Sequence, residues 1–171
     1  MKMNNIKNMK ESHTKKFILC RGIQGSGKST FAKAWVLEDP ENRVRFNNDD
    51  IRNMLGKYWV PSREKLVTNL KETFITKAIG MGYDIIVDNM NFNPKEVKYY
   101  EDIIETHNTL VDNLKIEGSL LSQDDFKYEL EFKDFFIPLE ECIRRDSLRE
   151  NPIGEKVIRS TYERYKHIIE V

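Results

Sequence analysis

Two glycines, a lysine and a serine near the start of the chain have the spacing of a phosphate-binding loop (P-loop). Gly22 and Gly27 enclose four residues, and Lys28 and Ser29 follow directly. Glycine permits backbone angles that turn successive N–H groups toward one point, where they can bind phosphate oxygens. In such a loop the lysine reaches the β- and γ-phosphates and the serine hydroxyl holds Mg²⁺. The pattern predicts a site for ATP, or another nucleoside triphosphate, made by Gly25, Ser26, Gly27, Lys28, Ser29 and Thr30.

Two carboxylates and an arginine follow the second predicted strand, in the segment Asn47-Asn48-Asp49-Asp50-Ile51-Arg52. Phosphate transfer to a hydroxyl needs a base within hydrogen-bond reach of that hydroxyl, and Asp49 is the candidate. Arg52 lies about one helical turn further on and could bind a substrate phosphate on the same side. The alternative is an N-cap aspartate with a solvated neighbour. The P-loop in the same chain favours the catalytic interpretation.

A third polar cluster, residues 88–94, follows the apolar run Ile85-Ile86-Val87. Asp88 is predicted to coordinate Mg²⁺ through water or to bind the acceptor. Asn91 is a candidate for substrate binding, with a turn residue as the alternative. Asn93 is more typical of a helix cap, because Pro94 after it suits the first position of a helix.

Three arginines, Arg144, Arg145 and Arg149, are predicted to lie on one late helix, with Arg145 and Arg149 four residues apart. In a phosphate-transferring enzyme, arginines at this position are typical of a lid that closes over the transferred phosphate and excludes water. The alternative is a solvated basic face. Arg149 and Arg145 are therefore the candidate lid residues.

Short apolar runs that alternate with helical patterns set the predicted architecture. The runs Phe17–Cys20, Val44–Phe46 and Ile85–Val87 are typical of strands that are buried on both faces. Strands that alternate with helices predict a central parallel sheet with helices on both faces, an α/β three-layer sandwich. Because the carboxyl ends of parallel strands lie at one edge, the three polar clusters should line one cleft. Residues 108–125, with alternating apolar residues and then Gly118, are assigned to no element.

Length and composition favour a single soluble, globular domain. The chain has 171 residues, of which residues 1–16 are predicted to be a disordered, lysine-rich leader and residues 17–171 the domain. Equal numbers of basic and acidic residues, 28 of each, exclude a chain that is basic throughout, as many duplex DNA binders are. Cys20 and Cys142 are predicted to be buried free thiols of a reducing compartment. Without an apolar run as long as a membrane span, or a secretory signal, we expect a cytoplasmic protein.

Four motifs in this order resemble the kinase half of the bacteriophage polynucleotide kinase-phosphatase family. They are Gly-Ser-Gly-Lys-Ser-Thr at 25–30, Asn-Asn-Asp-Asp-Ile-Arg at 47–52, Asp-Asn-Met-Asn-Phe-Asn-Pro at 88–94 and Arg-Arg-Asp-Ser-Leu-Arg at 144–149. Residues 158–166 are similar to the closing helix of that family. The likeness spans most of residues 17–167, but we expect no phosphatase domain after it, and the segment at 108–125 is longer than the family leads us to expect.

The resemblance implies a P-loop NTPase fold and an ATP- and Mg²⁺-dependent polynucleotide 5′-hydroxyl kinase. It implies Asp49 as the general base for the 5′-hydroxyl and Arg52 on the phosphate next to the acceptor nucleoside. The other implied contacts are those of Lys28 and Ser29 with the triphosphate and Mg²⁺, of Asp88 or Asn89 with the acceptor, and of Arg149 with the donor phosphates. Members of the family can form tetramers, so a homo-oligomer is a further expectation.

Two alternatives to the polynucleotide kinase stay open at the level of the sequence. One is a P-loop kinase for a small molecule such as a nucleoside, nucleotide or sugar, and the other is a nucleotide-binding regulatory protein without transfer activity. Tyr58, Trp59 and Phe92 could stack on a nucleobase of a single-stranded end, or they could belong to the core. The sequence leaves the choice between DNA and RNA, and the base of the donor, undetermined.

Overall fold

A four-stranded parallel sheet with strand order β2-β3-β1-β4 forms the centre of the protein. The computed structural model describes residues 14–116 and 126–170. Its strands are β1 (Thr14–Arg21), β2 (Arg43–Phe46), β3 (Asp84–Val87) and β4 (Lys127–Asp134). Its helices are α1 (Lys28–Glu38), α2 (Asn48–Met54), α3 (Glu64–Gly80), α4 (Pro94–Ile116), α5 (Leu139–Ser147) and α6 (Glu155–Ile169), and a 3₁₀ turn, Pro61–Arg63, precedes α3.

Helices cover both faces of the sheet, because β1 has apolar side chains on both. Phe17 and Leu19 are fully buried in a cluster with side chains of α3 and α4. Ile18 and Cys20 belong to a second cluster, which includes Ala32 of α1. A strand buried on both faces has no polar side, so its sequence is a continuous apolar run. The predicted α/β three-layer architecture is confirmed.

Strand β1 begins three residues earlier than predicted, so residues 14–16 belong to the sheet rather than to the leader. The backbone N–H of Lys16 donates to the Asp84 carboxylate at 2.7 Å, and its ammonium donates to Glu131 at 2.9 Å. Polar side chains are tolerated here because these partners lie at the exposed end of the sheet. The rest of the predicted leader, residues 1–13, lies outside the described residues.

Helix α4 continues to Ile116, through residues that the sequence pattern left unassigned. Ile104 and Val111, two helical turns apart, are buried at 6% and 4% exposure, whereas Leu110 and Leu114 are 58% and 42% exposed. The exposed leucines produced an alternating apolar pattern that hid the helical period of the buried positions. Residues 117–125 lie outside the described residues.

Both cysteines are free and buried, as predicted. Burial raises the pKa of Cys20 to about 12 and also raises the pKa of Cys142 above its ordinary value. Within residues 14–116 and 126–170, no helix is both long enough and apolar enough to cross a membrane.

Candidate active site

The P-loop connects β1 to α1 and turns through glycines in the left-handed region. Gly25 and Gly27 have φ of 78° and 103°, angles that residues with a Cβ rarely adopt. Lys28 is the first residue of α1, whose positive end points at the loop. Its Nζ donates to the Ile23 carbonyl at 2.8 Å and to Ser26 Oγ at 3.4 Å, and burial lowers its pKa to about 8. The loop thus offers backbone N–H groups and a poorly hydrated ammonium, which together suit a triphosphate.

Helix α5 packs directly against the P-loop. A Cβ added at Gly25 would lie 2.2 Å from the carbonyl oxygen of Cys142, so only glycine fits there. A Cβ added at Gly27 would lie 3.5 Å from Nη1 of Arg145. Arg145 Nε donates to Glu141 at 2.6 Å on its own helix, and its side chain does not line the cleft described below. Arg145, a candidate lid residue, therefore lies beside the loop, but its guanidinium is bound to Glu141.

Arg149 follows α5 rather than lying on it, because the helix ends at Ser147. Its side chain lines the cleft, and its Nη1 lies 3.5 Å from Oδ1 of Asp146. Asp146 is buried, and its Oδ2 accepts a hydrogen bond of 2.9 Å from the N–H of Gly154 at the start of α6. Arg149 therefore lies on the connection between α5 and α6. The Asp146 carboxylate holds the end of α5 to the start of α6 through its hydrogen bond with Gly154.

Asp49 lines the cleft from the first turn of α2 and is paired with an arginine. Asn47 is the N-cap, since its side chain accepts from the N–H groups of Asp49 and Asp50 at 2.8 and 3.1 Å. The capping role considered for Asp49 therefore belongs to Asn47. Asp49 Oδ1 accepts from Arg52 Nη1 at 2.7 Å, and Arg52 also donates to both Glu64 oxygens at 3.0 and 2.7 Å. The hydrogen bonds that Arg52 donates to Glu64 and then to Asp49 raise its pKa, against the opposing effect of burial.

Asp88 is buried where β3 ends, and Arg45 of β2 neutralises it. Arg45 Nε and Nη2 donate to Asp88 Oδ2 at 2.9 and 2.7 Å, and Arg45 also pairs with Asp50. The other oxygen, Oδ1, has no hydrogen-bond partner in the described part of the chain. A buried carboxylate oxygen without a partner is costly, so this atom fits a ligand in the cleft. Arg45 was not predicted, and the only signal for it was a basic residue inside a buried strand.

Asparagines connect the ends of β1 and β3 and the start of α2 at the floor of the cleft. The N–H of Asn48 donates to Asn89 Oδ1 at 3.0 Å. Asn91 has a positive φ of 50°, and its Nδ2 donates to the carbonyls of Cys20 at 2.7 Å and Val87 at 3.0 Å. The Nδ2 of Asn91 is thus engaged by the ends of β1 and β3, and its Oδ1 is the atom left for a ligand.

The predicted site residues meet in one cleft of about 400 Å³ at the carboxyl ends of β1, β2 and β3. All of them except Arg145 line it, namely Gly25, Ser26, Gly27, Lys28, Ser29, Thr30, Asp49, Arg52, Asp88, Asn89, Asn91 and Arg149. Buried polar atoms of the lining lack a hydrogen-bond partner within the described residues: Gln24 Oε1, Asn48 Oδ1, Asp88 Oδ1, Asn89 Nδ2 and Asn91 Oδ1. Buried polar groups are normally paired, so the cleft is suited to a strongly polar ligand.

The oxygen atoms of the cleft suit Mg²⁺ that arrives with a phosphate. Among the described residues, no group of three or more His, Cys, Asp or Glu side chains could hold a metal ion. Magnesium is usually bound by one or two protein oxygens together with substrate phosphates and water. Ser29 Oγ and Asp88 Oδ1 are oxygens of this kind, and both residues line the cleft.

The three aromatic residues considered for base stacking fall into two groups. Phe92 is 4% exposed and packs on Tyr165 and Phe136, with ring centroids 4.8 and 6.3 Å apart. It belongs to the core cluster beneath the cleft. Tyr58 and Trp59 are 43% and 53% exposed. They lie in the connection between α2 and the 3₁₀ turn, beside Asp49 and Arg52.

The fold and the site define a P-loop nucleotide-binding domain, with a phosphate loop and the Asp49 carboxylate in one cleft. Comparison with known families agrees with this class. The AAA domain family matches residues 17–170. The chain belongs to this family.

Two curated proteins are similar over about half of the chain. The "Putative bifunctional polynucleotide kinase/RNA ligase" of Autographa californica nuclear polyhedrosis virus is 27% identical in an alignment over 110 residues that covers 56% of this chain and 15% of the viral protein. Midasin of Dictyostelium discoideum is 29% identical over 99 residues, 56% of this chain and 2% of midasin. The chain therefore spans only a small part of the curated relatives it matches.

Solved structures support the fold. A chain in the structure of the Pnkp1/Rnl/Hen1 RNA repair complex superposes with a TM-score of 0.68 at 23% identity, covering 94% of this chain and 47% of that one. A second structure of the Pnkp1/Rnl/Hen1 complex gives a TM-score of 0.56 at 24% identity, with 82% and 42% covered. At these identities the likeness establishes a shared fold.

Proposed function

We propose that this domain transfers the γ-phosphate of ATP, or of another nucleoside triphosphate, to the 5′-hydroxyl of a nucleic-acid end. The observation that carries the proposal is that the P-loop and the Asp49–Arg52 pair open into the same cleft. A triphosphate in the loop would have its terminal phosphate directed to a carboxylate. The viral relative named for polynucleotide kinase and RNA ligase, and the RNA repair complex with the same fold, support this acceptor.

On the acceptor side, Asp49 takes the proton of the 5′-hydroxyl as that oxygen bonds to the γ-phosphorus. The bond from the γ-phosphorus to its bridging oxygen breaks, and a nucleoside diphosphate leaves. Arg52 orients Asp49 and has five N–H donors, of which hydrogen bonds to Glu64 and Asp49 use three. Two donors remain for a phosphate of the acceptor strand, on the 3′ side of the reacting nucleoside.

On the donor side, the P-loop N–H groups and Lys28 bind the β- and γ-phosphates. Arg149 is only loosely held, at 3.5 Å from Asp146, and can exchange this partner for the donor phosphates when the α5–α6 connection closes. Mg²⁺, bound through Ser29 and Asp88, would neutralise charge on the phosphates. Phosphate transfer depends mainly on positioning and charge, which these groups supply.

The direct test is transfer of labelled γ-phosphate from ATP to 5′-hydroxyl DNA and RNA oligonucleotides, with mononucleotides, nucleosides and sugars measured alongside. Labelled 5′ ends are the expected product. Asp49→Asn should lower kcat by roughly 10²- to 10⁴-fold and leave the affinity for ATP nearly unchanged. Asp102→Asn is the matched control, because it removes the same charge from an exposed residue of α4 that pairs with Lys98 and lies outside the cleft lining.

Two results would reject the proposal. Transfer to sugars or nucleosides but to no oligonucleotide would make the domain a small-molecule kinase. ATP binding without a product on any acceptor, combined with indifference to Asp49→Asn, would make it a nucleotide-binding regulatory protein.

A further inference from the structure

An exposed tryptophan lies on the acceptor side of the cleft. Trp59 follows Tyr58, which lines the cleft, and the guanidinium carbon of Arg52 lies 5.4 Å from the centroid of the Trp59 ring. The indole covers part of Arg52 yet remains 53% exposed. The second tryptophan, Trp35, is by contrast 9% exposed and packs in the core. Trp59 therefore presents a large aromatic surface to solvent directly beside the proposed acceptor site.

Arg52 fixes the position of this aromatic surface relative to the acceptor. Its N–H groups donate to Glu64 and Asp49, and its guanidinium lies over the Trp59 ring. A phosphate held by the two remaining donors would lie in the guanidinium plane, next to the indole. The nucleotide on the 3′ side of this phosphate would then have its base within reach of the exposed indole.

We propose that Trp59 stacks on the base of the second nucleotide of the acceptor strand and thereby makes the domain prefer a polynucleotide over a mononucleotide. This inference rests on the proposed function. A base stacked on an aromatic side chain is worth enough to change affinity by roughly 5- to 150-fold. Stacking tolerates any base, since every base has an aromatic face, so the preference concerns strand length and not sequence.

A purely structural role for Trp59 makes a different prediction. If the indole only shields the ion pairs of Arg52, its loss would disturb Asp49 and would affect every acceptor equally. If it stacks on the second base, its loss would affect only acceptors that have a second base. A nucleoside 3′-phosphate supplies the 5′-hydroxyl and the phosphate for Arg52 but no second base, and it separates the two roles.

The kinetic test compares kcat/KM of the wild type and Trp59→Ala on a nucleoside 3′-phosphate, a dinucleotide and longer 5′-hydroxyl oligonucleotides. We expect a 5- to 150-fold loss, mainly through KM, on the dinucleotide and the oligonucleotides, and less than a twofold change on the nucleoside 3′-phosphate. Trp59→Phe should restore most of the loss. Met54→Ala is the matched control, since Met54 is an exposed apolar residue of α2, 68% exposed, outside the cleft lining. An equal loss on all acceptors would overturn the proposal.

A binding measurement tests the stacking without any transfer. The chain has two tryptophans, and Trp35 is buried, so quenching of the emission by an added oligonucleotide reports on Trp59. We expect a 5′-hydroxyl oligonucleotide to quench the tryptophan emission of the wild type but not that of Trp59→Phe. Emission of the wild type that is not quenched, or quenching that persists in Trp59→Phe, would refute the stacking. If no 5′-hydroxyl acceptor is phosphorylated, the proposed function fails, and this measurement still decides whether Trp59 contacts nucleic acid.

Discussion

Replacement of Gly25 by alanine tests the contact between the P-loop and α5. Two separate costs act at this position. Gly25 has a φ of 78°, which an L-residue adopts only with strain. The added Cβ would also lie 2.2 Å from the carbonyl oxygen of Cys142. That oxygen belongs to the backbone of a helix, so it cannot rotate away, and the loop or the helix has to move.

The two costs can be separated with Gly56→Ala. Gly56 has a φ of 92°, and a Cβ added there would meet no atom within 4 Å. We expect Gly56→Ala to lower the free energy of unfolding by about 1–2 kcal/mol, the backbone cost alone. Gly25→Ala should add a further 1–3 kcal/mol or so for overpacking. Its total of about 2–5 kcal/mol lies within the stability of an ordinary domain.

The assay is urea unfolding of the wild type and the two variants, with and without ATP and Mg²⁺. Gly25→Ala should have the lower midpoint and should lose most of the stabilisation by ATP, because the displaced loop binds phosphate poorly. Gly56→Ala should keep that stabilisation. Equal midpoints for the two variants, or full stabilisation of Gly25→Ala by ATP, would show that α5 does not press on the loop as described.

Three further predictions concern other parts of the molecule. The pKa of Lys28 is lowered to about 8, and binding of ATP needs the charged ammonium. Titration calorimetry of the wild type should therefore show that the affinity for ATP falls as the pH rises above 8. The Lys28→Arg variant should bind ATP more weakly, with an affinity that does not change over this pH range. Cys20 and Cys142 are buried with raised pKa values, so a disulfide reagent should label them only after unfolding, and fast labelling of the native protein would contradict their burial. Gly80→Ala, at the end of α3 with open space around the new Cβ, should stabilise the protein by about 0.4–1 kcal/mol in urea unfolding; a lower midpoint would show that Gly80 has a conformation only glycine accepts.

The centre of the fold could be predicted because its signals are local. Phe17–Cys20 is a continuous apolar run, and the P-loop pattern after it marks the turn into α1. The end of α4 could not be predicted in this way. Asn108 fixes it to β4 through two hydrogen bonds with the backbone of Tyr128, at 2.9 and 2.8 Å. A contact between residues 20 positions apart does not change the hydrophobic pattern of either segment, so the pattern cannot reveal it.

The identity of the candidate site residues was accessible from sequence, but their partners were not. Asp49 and Asp88 were chosen for their chemistry and for their place after a strand. Arg45, which neutralises Asp88 from 43 residues away, and Glu64, which holds Arg52, were missed because ion pairs between elements depend on the folded arrangement. Arg149 was placed on a helix because its spacing from Arg145 is helical, although the helix ends before it.

The side-chain amide of Asn91 holds the ends of β1 and β3 together at the cleft. It bridges the carbonyls of Cys20 and Val87, where the chain leaves β1 for the P-loop and β3 for the segment that contains Asp88. The distance between the P-loop and Asp88 is thus set at the sheet itself, whereas Tyr58 and Trp59 lie in a separate loop between α2 and the 3₁₀ turn. Under the proposed function, a change in the loop between α2 and α3 would alter the acceptor, while Asn91 keeps the P-loop and Asp88 at the same distance.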